Sequence, residues 1–587
     1  MKQFIAKRKN ILLVLLAIMP ALLLAALIFK YGVNLIYWDE WEFATAFREI
    51  SQGHSVFNAL FSQQVESRMF FPKLIILAIS RITHWDVRYE MAFSLFLLCL
   101  VSFNIYRLSR STVAGSASSA IFLLFLSNLL IFSPAQAYNL LTGHQLVVFM
   151  PIACVTTCAV IAYSKNLGPL IKFFLCAVLC TIGTFSFSNG IVSWMIVLPL
   201  IVMAGVKNIG DIKKTKFLCA AWAICFLLNL ALYFYKYVKP PLKDAPSFSD
   251  VFINPLVTGQ YFLALLGSPV SFGHLNIATM AGLLTISLWI MLGYHLVKIR
   301  RTNMGELRRV AAWLMIGMYT VISAFIITFG RVGWSINNPM PPSRYTSFSV
   351  YIMVSLFYLS AIYFEYAAPK NDHWLNARPP RIFFTFLILI FIFLQIKAYI
   401  AGIAEMGDLR KDRLKGRACL MFINTLEKKS ELNQLVYPRI ECKKETIDYI
   451  NRLGCINPPL INSDRINDIA GNVKQGQNYG YFSYFKNVNA DTYEASGWAV
   501  LPDGNKPADA VILTYEDSGR DPRMFELSCD IGKAKKYKNP LRQNAVWEIK
   551  FSASRLPKGK FIISAWALDA VRGKAFKLNN DRAVEIK

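Results

Sequence analysis

Long apolar runs alternate with short polar loops over the first two thirds of the chain. A helix that crosses a bilayer needs about 20 mainly apolar residues. The runs predict about eleven such helices, at residues 11–29, 88–106, 113–133, 146–163, 170–187, 190–206, 217–236, 276–297, 310–329, 347–367 and 382–401. The first run follows a basic segment and leads into further spans, so we expect an uncleaved helix. The pattern predicts an α-helical polytopic membrane protein.

The loops between these runs alternate in charge. Basic residues concentrate at 107–110, 165–172, 207–216, 298–309 and 370–381, whereas the loops at 134–145 and 186–190 carry no charged residue. Lys and Arg are enriched in cytoplasmic loops, so this alternation predicts a cytoplasmic N-terminus. An odd number of spans then places the C-terminal tail outside the cytoplasm. Topology also accounts for the net charge of +27 without a nucleic-acid partner.

Two segments of this membrane domain, residues 1–401, depart from a simple span. Residues 252–270 are apolar but contain Pro255, Gly267 and Pro269, and a full span here would invert the later loops. We therefore expect an interfacial or re-entrant helix. The first external loop, 30–87, is long, with a helical pattern at 41–50 and an amphipathic stretch at 70–82 expected in the membrane interface.

The tail reads as an ordinary polar domain in two parts. Residues 402–474 have a helical, charged pattern and predict a connector, with a helix at 405–429. Residues 475–587 predict a β-sandwich, because short β-rich runs alternate with turn signals. The predicted strands lie at 479–488, 494–501, 510–515, 524–529, 546–551 and 561–568. Trp498, Trp547 and Trp566 are interpreted as core residues, although exposed aromatic rings here could bind a glycan.

Acidic residues open the first external loop beside two tryptophans. Asp39 and Glu40 lie between Trp38 and Trp41. One interpretation is an aromatic belt with solvated acids. The other is a general base near the membrane surface, because apolar neighbours raise the pKa of a carboxylate and so its basicity.

Three arginines lie on the predicted external side, one in the first loop and two at the ends of a later loop, where they are nearly the only charges. Arg68, Arg331 and Arg344 could extend into the interface as isolated cations, or could hold a phosphate through paired hydrogen bonds. Tyr345 follows the last of them. His144 lies in an uncharged loop, where either a polar contact or a site residue would fit.

Several cofactor classes lack their sequence signals. No HxxH or HExxH spacing occurs, which argues against a metal site, and the absence of Walker A and GxGxxG elements argues against ATP or dinucleotide use. Cysteines of an external tail can form disulfides. Cys419–Cys442 is the preferred pair and Cys442–Cys455 the second, although spacing does not fix connectivity.

The order of these features resembles the GT-C class of membrane glycosyltransferases. They are an uncleaved first helix, a long first external loop opening with an acid pair, regularly spaced helices and an external soluble domain. Within the class the chain resembles bacterial relatives of the O-antigen-modifying Gtr-type glucosyltransferases. Its motifs Gly330-Arg331, Ser343-Arg344-Tyr345 and Glu66-x-Arg68-x-x-x-Pro72-Lys73-Leu74 resemble those of bacterial polytopic proteins of this type. Relatives often have Asn-Glu-His-Arg around the last motif. The His is missing here, so Glu66 joins the candidate acids.

The resemblance implies a function at the periplasmic face of a bacterial inner membrane. A sugar, glucose in the Gtr-type enzymes, would pass from undecaprenyl phosphate or a similar polyprenyl-phosphate donor to a polysaccharide such as lipopolysaccharide O-antigen. Asp39 or Glu40 would accept the proton of the acceptor hydroxyl, and Arg68, Arg331 and Arg344 would stabilise the leaving phosphate. Trp38, Trp41, His144 and Tyr345 would contact substrate. The class includes enzymes that use a divalent cation such as Mg²⁺ or Mn²⁺ and enzymes that do not, and the resemblance leaves both open.

Two other functions fit the same pattern. A flippase for a lipid-linked sugar would place ionisable residues inside its spans, and Glu90 is the main example here. A non-catalytic envelope assembly protein would bind its partner through the β-domain.

Overall fold

The computed structural model describes residues 2–205, 215–239, 250–300, 303–335, 338–367, 378–426, 428–472, 477–489, 491–502, 506–517, 521–532 and 543–586. Parts of the predicted basic loops at 207–216, 298–309 and 370–381 lie outside these ranges. The chain divides into two compact units. Unit 1 comprises Met1–Gly32, Gly53–Ile79 and Arg88–Gly407, and unit 2 comprises Val33–Gln52, Ser80–Val87 and Asp408–Lys587.

Helices account for most of the described chain. In chain order they are α1 Lys2–Tyr31, α2 Glu40–Ser51, α3 Val56–Phe61, α4 Phe70–Thr83, α5 Arg88–Thr112, α6 Ala117–Ile131, α7 Ala137–Leu140, α8 Leu146–Tyr163, α9 Pro169–Thr184, α10 Ser193–Gly205, α11 Lys216–Phe234, α12 Asp250–Ile253, α13 Pro255–Gly267, α14 Leu275–Arg300, α15 Met304–Arg331, α16 Val350–Ala367, α17 Arg378–Met421, α18 Lys429–Leu435 and α19 Lys444–Arg452.

Strands form one hairpin in unit 1 and two sheets in unit 2. They are β1 Gln63–Gln64, β2 Ser67–Arg68, β3 Gly480–Asn489, β4 Thr492–Ala499, β5 Ala510–Glu516, β6 Arg523–Ser528, β7 Ile531–Gly532, β8 Val546–Ser552, β9 Gly559–Asp569, β10 Lys574–Lys577 and β11 Arg582–Ile586.

Apolar helices coincide with every predicted span. Among the described residues, nine helices are long and apolar enough to cross a membrane, and two shorter apolar helices, Pro169–Thr184 and Ser188–Met203, occupy the remaining predicted positions. Large apolar side chains such as Leu22, Phe217 and Leu227 stay exposed on these helices. Exposed apolar surface on this scale suits contact with lipid. The chain is therefore a polytopic membrane protein by helix length and composition.

Small residues let helices of unit 1 approach closely, and buried polar groups connect them. A Cβ added at Gly267 of α13 would lie 1.9 Å from the carbonyl oxygen of Ala278 in α14, so only glycine fits this contact. Ser102 donates to Asn128 Oδ1, and Asn128 Nδ2 donates to the Ala17 carbonyl, each at 2.7 Å. Such contacts replace the hydrophobic drive that is absent between helices in lipid.

The segment predicted to be interrupted at 252–270 is interrupted. Helix α12 ends at Ile253, α13 begins at Pro255, and a 3₁₀ turn follows at Ser268–Val270. Proline suits the first position of a helix because it has no N–H to lose there. The predicted helices at 41–50 and 70–82 correspond to α2 and α4. The helix predicted at 405–429 is the last part of α17, which begins at Arg378 and ends at Met421.

The predicted boundary near residue 401 assigns the whole first external loop to the membrane domain. In the structure, two pieces of this loop, Val33–Gln52 and Ser80–Val87, belong to unit 2. Its Val33–Gln52 segment carries α2, which contacts α19. Arg48 at the end of α2 pairs with Glu445 at 2.9 Å. The rings of Phe47 and Trp85, from two separate pieces of that loop, lie 5.1 Å apart. The aromatic contact joins the two loop pieces to each other, and the contacts of α2 join them to the tail in one unit.

Six strands of the tail were predicted, and the structure confirms all six. The order β10-β9-β5-β6, with β11 also paired to β9, makes one sheet, and β3-β4-β8-β7 makes the other. The short strands β7, β10 and β11 are additional. Both sheets contribute to one hydrophobic core, which includes Phe482, Trp547, Leu513 and Ile563. Trp498, Trp547 and Trp566 are all buried, as predicted for core residues.

The predicted Cys419–Cys442 pair is not the pair that the structure brings together. The sulfur of Cys419 lies 2.9 Å from the sulfur of Cys529, and both residues are buried, whereas Cys442 is exposed. The folding of the tail places the end of α17 beside the residue after β6. Spacing along the chain could not show a contact across 110 positions.

Candidate functional site

Trp38 and Asp39 form an exposed, strained entry to α2 in unit 2. Trp38 has a φ of +49°, which is unfavourable for a bulky residue. Its backbone N–H donates to the Val436 carbonyl at 2.8 Å, which holds this conformation. Asp39 is the N-cap residue of α2 and is exposed. Strain of this kind is concentrated at functional sites.

The other acids of this segment have local structural contacts. Glu40 is fully buried, and its carboxylate accepts the backbone N–H of Tyr37 at 3.3 Å. Glu42 accepts a hydrogen bond from the Tyr437 hydroxyl at 2.6 Å and pairs with Lys443 at 2.9 Å. Asp39 is thus the exposed member of the predicted acid pair. Trp41 is fully buried, so it packs in the core and cannot contact a substrate as predicted.

Glu66 lies in unit 1, at the tip of the β1–β2 hairpin. Val65 before it has a φ of +50°, which makes the tight turn. The Glu66 carboxylate lies 2.6 Å from Nη2 of Arg331 at the end of α15. The Tyr233 hydroxyl donates to the Glu66 carbonyl at 2.7 Å. The two charges are both partly exposed, so a ligand could reach this ion pair.

Arg68 has a structural role that the sequence did not predict. Its guanidinium donates to the carbonyls of Tyr233, at 2.6 Å, of Phe61, at 2.8 Å, and of Tyr235. Tyr233 and Tyr235 lie at the C-terminal end of α11, where the last carbonyls lack helical partners. Arg68 is buried and satisfies them. Arg68 therefore holds the hairpin on this helix end, and its predicted binding of phosphate stays a prediction.

Arg344 is exposed in a 3₁₀ turn, Ser343–Phe348, just before α16. Its guanidinium lies 5.0 Å from the centre of the Tyr345 ring, and the phenol groups of Tyr138 and Tyr261 are near enough to interact with it electrostatically. No carboxylate of the described chain forms an ion pair with Arg344. Its positive charge is therefore available to an anion.

This turn is held by two residues that the sequence did not single out, Asn139 and Glu405. Asn139 of α7 donates to the Arg344 carbonyl at 2.7 Å and to the Ser347 hydroxyl at 2.9 Å. Ser343 donates to the Glu405 carboxylate of α17 at 2.5 Å. The Glu405 carboxylate thus contacts Ser343, the residue that directly precedes Arg344. A separation of 62 positions hides this contact from local sequence patterns.

His144 is buried in the 3₁₀ turn Gly143–Gln145, four residues after α7 ends. Its Nε2 lies 3.3 Å from the side-chain nitrogen of Gln145. This environment fits the interpretation of His144 as a polar contact. Its predicted contact with substrate stays a prediction.

An apolar groove runs along α16 beyond the Arg344 turn. Side chains of four helices line it, including Leu126, Leu288, Phe357 and Phe391. Val270 also lines it, and the Ser268–Val270 turn contacts the Ser343–Phe348 turn. Unit 1 therefore has a cationic turn followed by an apolar groove.

The predicted site residues divide between the units. Glu66, Arg68, Arg331, Arg344, Tyr345 and His144 belong to unit 1, and Trp38, Asp39, Glu40 and Trp41 belong to unit 2. That the acids of unit 2 and the arginines of unit 1 act on one substrate stays a prediction. Among the described residues, no group of three or more His, Cys, Asp or Glu side chains is placed to hold a metal ion.

Comparison with known proteins adds no family to this description. No protein-family model matches the chain, and the comparison with curated proteins gives no match either. The functional assignment therefore depends on the chemistry of the residues described above.

Proposed function

We propose that the protein transfers a sugar from a polyprenyl-phosphate donor to a cell-surface polysaccharide, such as lipopolysaccharide O-antigen. In this proposal the chain is a GT-C-like enzyme with eleven spans and a periplasmic β-sandwich. The two sheets around one core support the sandwich. In this proposal the reaction takes place on the periplasmic side of the bacterial inner membrane. The alternation of basic and uncharged loops supports this orientation.

The arrangement around α16 carries this proposal. A polyprenyl phosphate has a charged headgroup and a long apolar tail. Arg344 offers a cation just before α16, and residues further along the same helix, such as Met353 and Phe357, line the apolar groove. The turn that contains Arg344 also contacts the turn that contributes Val270 to the groove. A cation before α16 and an apolar groove along α16 thus match the two chemical features of the donor.

The chemistry is a displacement at the anomeric carbon. The acceptor hydroxyl oxygen forms a bond to this carbon while the bond from the carbon to the phosphate oxygen breaks. Negative charge grows on the leaving phosphate, and the Arg344 guanidinium stabilises it. The hydroxyl proton passes to a carboxylate. The candidate bases are Asp39, Glu66 and Glu405, because each of these acidic residues is at least partly exposed to solvent.

The test compares surface polysaccharide from cells with wild-type protein, without it, and with Arg344→Ala. Mass and linkage analysis should show one sugar substituent that is lost in the deletion and in the variant. Arg110→Ala is the matched control, because Arg110 is also an exposed arginine at a helix end but belongs to a predicted cytoplasmic loop. Polysaccharide that keeps the substituent in Arg344→Ala would refute the assignment of Arg344.

A flippase is the competing function, and Glu90 is the observation that favours it. Glu90 is fully buried at the start of α5, and buried ionisable residues in spans often mark transport pathways. Deletion would then leave the polysaccharide linkages unchanged but alter the distribution of lipid-linked sugar across the membrane. Measuring both quantities in the same cells separates the two functions.

A further inference from the structure

Two cysteine thiols of unit 2 lie side by side although they are far apart in sequence. Cys419 lies two residues before the end of α17, and Cys529 directly follows β6. Their sulfur atoms are 2.9 Å apart, with Cys419 completely buried and Cys529 almost so. Only a small movement separates this contact from a covalent bond, whose length is about 2.05 Å.

The buried position limits when these thiols can react. The neighbouring Cys419 thiol, together with burial, raises the pKa of the Cys529 thiol well above its usual value. The thiolate is the reactive form in exchange with a disulfide, so the thiols of the folded unit react slowly. Because both side chains are buried, we expect an oxidant to reach them before unit 2 closes around them.

We propose that Cys419 and Cys529 form a disulfide in the mature protein. The oxidant is a dithiol–disulfide oxidoreductase of the external compartment. One cysteine thiolate attacks the disulfide of this enzyme and forms a mixed disulfide, which the thiolate of the other cysteine then resolves. The two thiols lose two protons and two electrons, and the oxidoreductase leaves as a dithiol.

The bond would join the end of α17 to the segment after β6 and close a loop across 110 positions. Closing a long loop restricts the unfolded chain more than closing a short one. The bond also reports the compartment, because structural disulfides persist in oxidising surroundings and are rare in the cytoplasm. The inference does not depend on sugar transfer, so each can fail without the other.

The test counts thiols in the full-length protein. Membranes are dissolved in denaturing detergent and treated with a polymer-linked maleimide, with and without prior reduction by a phosphine. The chain has 11 cysteines, so we expect about nine labels before reduction and about eleven after it, since one disulfide removes two thiols. In Cys419→Ser and in Cys529→Ser the number of labels should not depend on reduction. Cys442→Ser is the control, and reduction should still add two labels there.

Two results would overturn the proposal. One is a wild-type protein that is fully labelled without reduction, which shows that both thiols are free. The other is a reduction-dependent gain that persists in Cys419→Ser, which shows a different pair. If a serine variant fails to accumulate, digestion of the non-reduced wild-type protein decides the question. Mass spectrometry should then find the peptides containing Cys419 and Cys529 linked, and finding them unlinked contradicts the proposal.

Discussion

Arg68 gives the sharpest separation between a structural and a catalytic arginine. The perturbation is Arg68→Ala. It removes hydrogen bonds to the carbonyls of Phe61, Tyr233 and Tyr235. Because the guanidinium caps the end of α11 and also binds the Phe61 carbonyl at the end of α3, we expect loss of unit 1 stability rather than a specific loss of chemistry.

The size of the effect follows from the type of bond. A hydrogen bond from a charged group contributes roughly 1.5–3 kcal/mol. Two of the three hydrogen bonds are only partly buried, so water can replace part of them, and we expect a net loss of about 3–5 kcal/mol in the free energy of unfolding. Arg331→Ala is the comparison, because its ion pair with Glu66 is partly exposed and such pairs contribute about 0–1 kcal/mol.

In the assay, the purified full-length protein is heated in detergent, and unfolding is measured as the loss of monodisperse protein. Arg68→Ala should unfold at a clearly lower temperature than wild type, with Arg331→Ala close to wild type. Arg68→Lys should lie between them, because one ammonium group replaces some of the bonds. An Arg68→Ala protein that keeps wild-type stability but loses sugar transfer would refute the capping role and restore Arg68 as a phosphate ligand.

Three further predictions test packing, electrostatics and the candidate acid. Gly267→Ala should reduce folded yield, because its Cβ would lie 1.9 Å from the Ala278 carbonyl oxygen, whereas Gly259→Ala has open space and should not; equal yields by size-exclusion chromatography would contradict this. Burial raises the pKa of Asp509 to about 6 from 3.8. The folded protein therefore keeps the Asp509 proton at pH values where the unfolded chain has lost it, and the stability of the folded state falls as pH rises between these values. Asp509→Asn should therefore stabilise unit 2 by up to about 3 kcal/mol at pH 7 and little at pH 3, measured by pulse proteolysis in urea; a gain independent of pH would be inconsistent. Glu405→Gln should abolish sugar transfer at unchanged thermal stability if Glu405 is the base, and retained transfer would leave the role to Asp39 or Glu66.

Much of the architecture could be predicted because periodicity and length are local signals. Apolar runs correspond to helices at every predicted span, and alternating β-rich runs located six strands. The short strands β10 and β11 were missed because each is only four or five residues long. These two segments form strands because they pair with β9, and the pattern of a single sequence does not show this pairing.

Less of the candidate site could be predicted, because its contacts join distant parts of the chain. The sequence identified Arg344 as a cation at a predicted external turn, but not Asn139 or Glu405, which hold that turn. It grouped Arg68 with Arg331 by residue type, although Arg68 caps a helix end that follows about 165 positions later. The neighbour of Cys419 could not be predicted for the same reason, because the folding of the β-domain brings Cys529 beside it.

The most direct test of the account is sugar transfer by the purified full-length protein in lipid vesicles. The vesicles contain a polyprenyl-phosphate glucose, and an O-antigen polysaccharide is supplied. Wild-type protein should release polyprenyl phosphate only when the acceptor is present, and the sugar should appear on the polysaccharide. Arg344→Ala should slow this by roughly 10²–10³-fold, the effect of removing one charge-stabilising donor. Movement of intact donor between leaflets, with no sugar on the acceptor, would contradict the account.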